Sequence, residues 1–416
     1  MKLKSCFLIT LMVCAMFACS NDEVPGEKTI TPSVPNATLE LIAQTKSGSG
    51  LKATKADPVQ DRTTWDYAVK KLTVAVFNAG AYTENGVEED KLVAVFSGDF
   101  TKNQDSYQVS GMALQAGKVK VLVLANLSDE NIKQLQASAG ASTNAERMTL
   151  DGVLALPISL DGENDKDGLT MKCLLPETLT LLEGKNCIGF EKGKEPEGYN
   201  NIYDKEVKLT RVIAAIHLNS LTVSTQYAID CDNIIVNRVF VANVKGDASI
   251  SGEKDIDAKD NSYWAGAHAD ELGVYKKYKA VLNLDLCQEI TKEDLKEMTP
   301  IAPGSEWAGT AKTFFVYPNT TGGEGCYTLL IVEAIYNYND ERKPETRFYR
   351  VPVNHKYFGG DKDQSTTLVR SNYKYLIDLT VGVGSPIPYG DPVEAHVSAT
   401  VKVVDWDVIE IEGSVD

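Results

Sequence analysis

At 416 residues the chain exceeds what one hydrophobic core normally serves, so two domains are expected. A net charge of −16 argues against a nucleic-acid partner, because a phosphate backbone is met by clusters of Lys and Arg that this sequence lacks. Hydrophobic content of 43% and charged content of 24% are those of a globular protein, and no second long apolar run follows the N-terminus, which leaves no further spanning helix to expect.

Lys2 and Lys4 precede an apolar run over 7–17, which stops at Ala18-Cys19 before the polar Ser20, Asn21, Asp22 and Glu23. A positive start, a short apolar stretch and a small residue before the cut read as a bacterial lipoprotein signal peptide, since the run falls short of the ~20 residues of a spanning helix. Cys19 is then the lipid-bearing first residue of the mature chain, behind a loose lipobox, Met16-Phe17-Ala18. The alternative is a plain secretory signal with a cysteine near its cut.

Residues 21–36, rich in Pro, Thr, Glu and Ser, carry no apolar period and are expected to form a flexible tether. Residues 37–45 alternate, with Leu39, Leu41 and Ala43 on one face and Thr38, Glu40 and Gln44 on the other, the pattern of a half-buried strand. Residues 46–60 are full of Gly, Ser, Lys, Asp and Pro and are expected to be an exposed loop. Short β runs follow at 72–77, 91–96, 119–124, 207–218, 234–244, 314–317, 329–335, 348–353 and 373–381. Helix signals are few, at 128–135 and 291–298. Strands without regular βαβ alternation predict antiparallel sandwiches. Beyond a Gly/Pro linker at 382–392, Ala395, Val397, Ala399, Val401 and Val403 alternate with His396, Ser398, Thr400 and Lys402, which predicts a long terminal strand on a segment able to swing.

No constellation for catalysis emerges. His217, His268, His355 and His396 stand in no metal-binding spacing, and there is no nucleophile elbow, phosphate loop or dinucleotide fingerprint. Glu163, Asp165 and Asp167 ahead of Gly168 suggest a calcium loop, but the twelfth place holds Leu174, and a solvated turn is the plainer reading. Cys6 and Cys14 leave with the signal, and Cys173, Cys187, Cys231, Cys287 and Cys326 remain beyond Cys19. An odd number leaves at least one free thiol, and their spacing reads as buried small hydrophobes with room for one bridge. No cofactor, metal or catalytic residue is expected.

Taken in order, Lys70-Lys-Leu-Thr-Val-Ala-Val-Phe-Asn-Ala-Gly80, Val121-Leu-Val-Leu-Ala-Asn126, Leu182-Glu-Gly-Lys-Asn-Cys-Ile-Gly-Phe190, Val207-Lys-Leu-Thr-Arg-Val-Ile-Ala-Ala215, Asn372-Tyr-Lys-Tyr-Leu-Ile-Asp-Leu-Thr380 and Val404-Asp-Trp406 resemble the fimbrillins, shaft subunits of type V pili. The resemblance implies a mainly β fold of two tandem β-sandwich-like (transthyretin-like) domains with few short helices. It divides the chain into a signal at 1–18, a lipidated, cleavable segment at 19–62, and domains at 63–225 and 226–416, the last ending in a donor strand at 393–411.

It also implies a palmitate-bearing lipoprotein precursor at the outer membrane, cut by a trypsin-like protease in the loop after the first strand. Fimbrillin cleavage follows an arginine placed like Lys52 or Lys55; here the protease accepts lysine, cuts at Arg62, or leaves the chain uncut. Loss of the strand bearing Leu39, Leu41 and Ala43 opens a groove for Val397, Ala399, Val401 and Val403 of another copy. The implied partners are further copies, minor fimbrial subunits, the processing protease and receptors on host or bacterial surfaces, in an adhesive extracellular fimbrium. Competing readings are an uncleaved anchor or tip lipoprotein of the same fold, and a surface glycan-binding lipoprotein. The latter needs an aromatic platform that the scattered Trp65, Trp264, Trp307 and Trp406 do not suggest.

Overall fold

The computed structural model describes residues 30–44, 68–98, 100–103, 106–163, 167–242, 244–245, 247–252, 264–265, 300–308, 313–319, 328–354, 369–384 and 397–405.

Two sheets face each other in the N-terminal half. In the first, β1 (Ala37–Gln44) lies between antiparallel β5 (Ser106–Leu114) on one side and parallel β10 (Gly184–Ile188) and β12 (Val207–Lys208) on the other. Strands β4 (Thr101–Asn103) and β11 (Asn200–Tyr203) extend it at its two edges. The second sheet runs β13 (Thr210–Arg211), β8 (Met171–Leu174), β6 (Gly117–Ala125), β2 (Leu72–Asn78) and β3 (Leu92–Gly98), with β9 (Leu179–Leu181) also paired to β6. Successive side chains on a strand point to opposite faces. Accordingly Leu39, Leu41 and Ala43 share one core with Val74, Val76, Val121 and Val123, while Ala75, Phe77, Leu122 and Leu124 form the opposite face of the second sheet.

That opposite face is covered by α1 (Asp129–Ala139) and α2 (Leu150–Leu154), through Ile132, Leu135 and Val153. The start of α1 is set as its sequence predicts: Ser128 Oγ accepts from the Asn131 N–H, and Asp129 and Glu130 face the positive end of the helix dipole. The helix signal at 291–298 lies outside the described residues.

In the C-terminal half, β19 (Thr313–Val316), β14 (Ala214–Val223), β22 (Tyr373–Val381) and β23 (Val397–Asp405) form one sheet, with β14 and β22 parallel. Strands β15 (Cys231–Ala242), β20 (Leu329–Tyr338) and β21 (Glu345–Pro352) form another. The core includes Ile216, Val236, Phe314, Val332, Tyr375 and Ile377.

Three expectations are corrected. The apolar run 207–218, read as one strand, is divided twice: at Leu209, between β12 on the first sheet and β13 on the second, and at Val212 and Ile213, where the chain passes from β13 to β14 in a further sheet. Sheet membership therefore changes between Arg211 and Ala214, and β14 pairs with β22 from Ala215 to Val223. The part of the tether from residue 30 onward is pinned: Ile30 N–H donates to Ser142 O at 3.2 Å and Thr31 N–H to Asn85 O at 2.9 Å. Glu163, read as part of a solvated turn, is instead buried. It is 3% exposed and accepts from the Thr170 N–H at 2.7 Å and from the Tyr317 hydroxyl at 2.9 Å, which ties the two halves together. Asp165 lies outside the described residues.

A second tie is a short strand pair across the halves, β7 (Pro157–Ser159) with β17 (Asp247–Ser249). It is continued by Ile250 N–H to Leu156 O at 3.1 Å and Ser251 N–H to Leu154 O at 2.8 Å. Beside it, β16 (Val244–Lys245) pairs with β18 (Trp264–Ala265).

Candidate functional site: the slot of the first strand

The first described strand in sequence is central in its sheet. β1 matches Ala37 to Gly184 through Leu41 to Ile188 on one side, and Ala37 to Leu114 through Gln44 to Ser106 on the other. Both ends are fastened. Gly184 N–H donates to Asn36 O at 3.0 Å, Ala116 N–H donates to Asn36 Oδ1 at 2.7 Å, and Leu209 N–H donates to Gln44 O at 2.8 Å. Leu39, Leu41 and Ala43, read from the sequence as the inward face, are each 0% exposed. The strand therefore closes a slot whose backbone groups on β5 and β10, and whose apolar floor, it alone satisfies among the described residues.

The other face departs from the expected solvent-facing alternation. Glu40 is only 5% exposed. Its Oε1 accepts from Gln108 Nε2 at 2.6 Å, and the Tyr199 phenol, from just before β11, lies near enough to interact with its carboxylate. Opposite it in the parallel register stands Cys187, fully buried, whose thiol is pushed up to about 11 by burial and then by the charges of Glu195 and Glu40. On the β5 side the register shifts between Leu39 and Leu41, where β5 carries an additional residue and Gly111 takes φ +74°. A β-bulge with a left-handed glycine thus flanks Glu40. No local sequence signal marks Glu40, because its cover comes from residues far along the chain.

The C-terminal strand has the opposite situation. Among the described residues β23 lies at an edge of its sheet and pairs only with β22, antiparallel, so that Val397, Ala399, Val401 and Val403 stand opposite Val381, Leu379, Ile377 and Tyr375. Cys19, Lys52, Lys55 and Arg62 lie outside the described residues.

Cys173, Cys187 and Cys231 are unbridged, and Cys287 and Cys326 lie outside the described residues. His217 Nδ1 is 3.0 Å from Thr313 Oγ1; the other three histidines also lie outside. Among the described residues there is no cluster of metal-ligating side chains, and no helix long and apolar enough to cross a membrane.

Residues 37–211 match the family model for the major fimbrial subunit protein (FimA), a match that begins with β1 and ends with β13. Over 453 aligned residues the chain is 24% identical to the major fimbrium subunit FimA type-5 of Porphyromonas gingivalis, with 98% of each chain covered. Among solved structures, a candidate cell adhesion protein from Parabacteroides distasonis matches with a TM-score of 0.65 at 23% identity, covering 90% of this chain and 100% of that one. A fimbrilin from Porphyromonas gingivalis matches with a TM-score of 0.57 at 20% identity, covering 91% and 99%. The chain is thus similar to the fimbrillins, as its motifs implied, and shares a mainly β fold with the solved fimbrilin.

Proposed function

We propose that this chain, similar to the fimbrillins, is a structural, adhesive subunit of a cell-surface fimbrium that polymerises by strand replacement. The precursor reaches the outer membrane with lipid on Cys19. A trypsin-like protease then cuts after Lys52, Lys55 or Arg62, β1 departs, and the C-terminal strand of another copy enters the slot. The observation that carries this reading is the contrast between two strands. β1 is central, yet only the 45–67 segment joins it to the rest of the chain, whereas β23 is an edge strand behind a Gly/Pro linker. Removing a central strand exposes unpaired backbone groups and apolar surface, and a foreign strand of matching alternation restores both. Such a subunit needs no catalytic group.

The test is the N-terminus of fimbriae sheared from cells, read by mass spectrometry. A start at Ala53, Ala56 or Thr63 is expected. A lipidated Cys19 in the assembled fibre would instead identify an uncleaved anchor. In solution, purified precursor is expected to stay monomeric until limited trypsin opens the loop, and polymer formed readily by uncut chains would overturn strand replacement.

A further inference from the structure

The outer side of the slot is built to meet a hydrogen-bonding side chain at one position. Gln108 Nε2 donates to the Glu40 carboxylate, the Tyr199 phenol lies near enough to interact with it, Cys187 stands opposite it on β10, and the bulge at Gly111 breaks the β5 ladder beside it. Lys185 Nζ stands 5.3 Å from the Tyr199 ring centre and adds a positive charge behind the phenol. When β1 leaves, the amide and the phenol lose the carboxylate they share. Both groups are half-buried, so a strand that covers them without offering a partner strips part of their water and is penalised. A bulge also pins register, since sliding a strand past it by one residue exchanges its two faces.

Resting on the strand-replacement reading above, we infer that this niche is a register- and specificity-determining subsite, and that its occupant in the polymer is Thr400 of a second copy. Laying 397–404 along 37–44 in the same direction puts Val397, Ala399, Val401 and Val403 where Ala37, Leu39, Leu41 and Ala43 sit. Thr400 then falls on Glu40. Its hydroxyl both donates and accepts, so it serves Gln108 and Tyr199 together, and both of these have rotatable stems long enough to follow a shorter side chain. Lys402, the next outward residue, falls on Ile42, a half-buried position opposite Gln108 on β5 but two residues past the Glu40–Cys187 pair.

The experiment uses full-length chains activated by trypsin. In Thr400→Cys the introduced thiol stands beside the native Cys187 of the neighbouring subunit, strands being ~5 Å apart, within the Cα separation a disulfide spans. Copper phenanthroline accepts the two electrons as two thiols lose their protons and join. A ladder of covalent oligomers on non-reducing gels is expected, absent when Cys187→Ala is added and at least tenfold weaker for Ser398→Cys or Lys402→Cys. Polymer growth is expected to fall fivefold or more in Thr400→Val and less than twofold in Thr400→Ser. That order is expected to invert when Gln108→Leu and Tyr199→Phe make the niche apolar.

Crosslinking strongest at 398 or 402, or equal growth of the valine and serine chains, overturns the niche while leaving strand replacement in place. Polymer that crosslinks from no position of β23 overturns strand replacement, and the niche with it.

Discussion

Gly189 passes so close to Ile42 that a Cβ on it would stand 2.2 Å from the Ile42 carbonyl oxygen, and its φ of +80° lies in the left-handed region. This contact is between the end of β10 and the strand proposed to leave. Gly189→Ala is therefore expected to destabilise the uncut chain in two ways. Left-handed strain costs on the order of 1–2 kcal/mol, and the backbone clash adds to it by pushing β1 outward. Urea unfolding should show a lowered midpoint, and an unchanged midpoint would mean that the strand yields freely there.

Cys187 offers a reporter of the same strand. Its thiol is fully buried against β1 and pushed up to about 11, so at neutral pH it is almost entirely protonated and inaccessible. Maleimide labelling of the intact precursor is expected to be slow at Cys187, and to accelerate at least tenfold once trypsin has cut and residues 20 to about 55 have dissociated. Equal rates before and after release would show that β1 does not cover the thiol.

Burial pushes the Glu163 carboxyl up from its ordinary value, against the opposing bonds from Thr170 and Tyr317. The folded value thus lies above the unfolded one. The group favours the folded state fully below the unfolded value of ~4.3, and that contribution is lost as pH rises through the folded value. Glu163→Gln keeps an acceptor for the Thr170 N–H and a donor for the Tyr317 hydroxyl. It is expected to be more stable than the parent chain at pH 7, with the difference vanishing near pH 4. Tyr317→Phe removes one partner of a buried carboxylate and is expected to cost about 1–3 kcal/mol. Paired denaturation curves at the two pH values check both.

If the lipid route is right, Cys19→Ala yields unlipidated precursor and a surface stripped of polymer. Normal fimbriae on cells carrying that variant would count decisively against it.

For the donor strand, Val401→Asp is expected to abolish assembly, because it places an unpaired carboxylate against the apolar floor of the slot, a cost of several kcal/mol. Lys402→Asp, on the alternate face, is expected to be nearly silent. Fimbriae of normal length from the Val401→Asp chain would refute the donor role, and equal damage from both would mean that the strand sits in another register.

What the sequence determined by itself was everything governed by a local period. Alternation marked Leu39, Leu41 and Ala43 as one inward face, and all three are fully buried. Ser128 followed by acidic residues marked the start of α1. Such signals are legible because a strand repeats every two residues and a helix start needs its cap within three.

The tertiary structure alone decided what lies against each face. Glu40 reads as solvent-facing, yet it is buried and bonded to Gln108, 68 residues away, with the Tyr199 phenol interacting with it as well. Glu163 reads as a loop acid, yet Tyr317, 154 residues away, makes it a tie between halves. The run 207–218 reads as one strand, yet the backbone hands it from one sheet to another at Leu209 and again at Val212. In each case the deciding partner is distant along the chain. Desolvation and pairing depend on which segments meet in space, and no window of neighbouring residues carries that information.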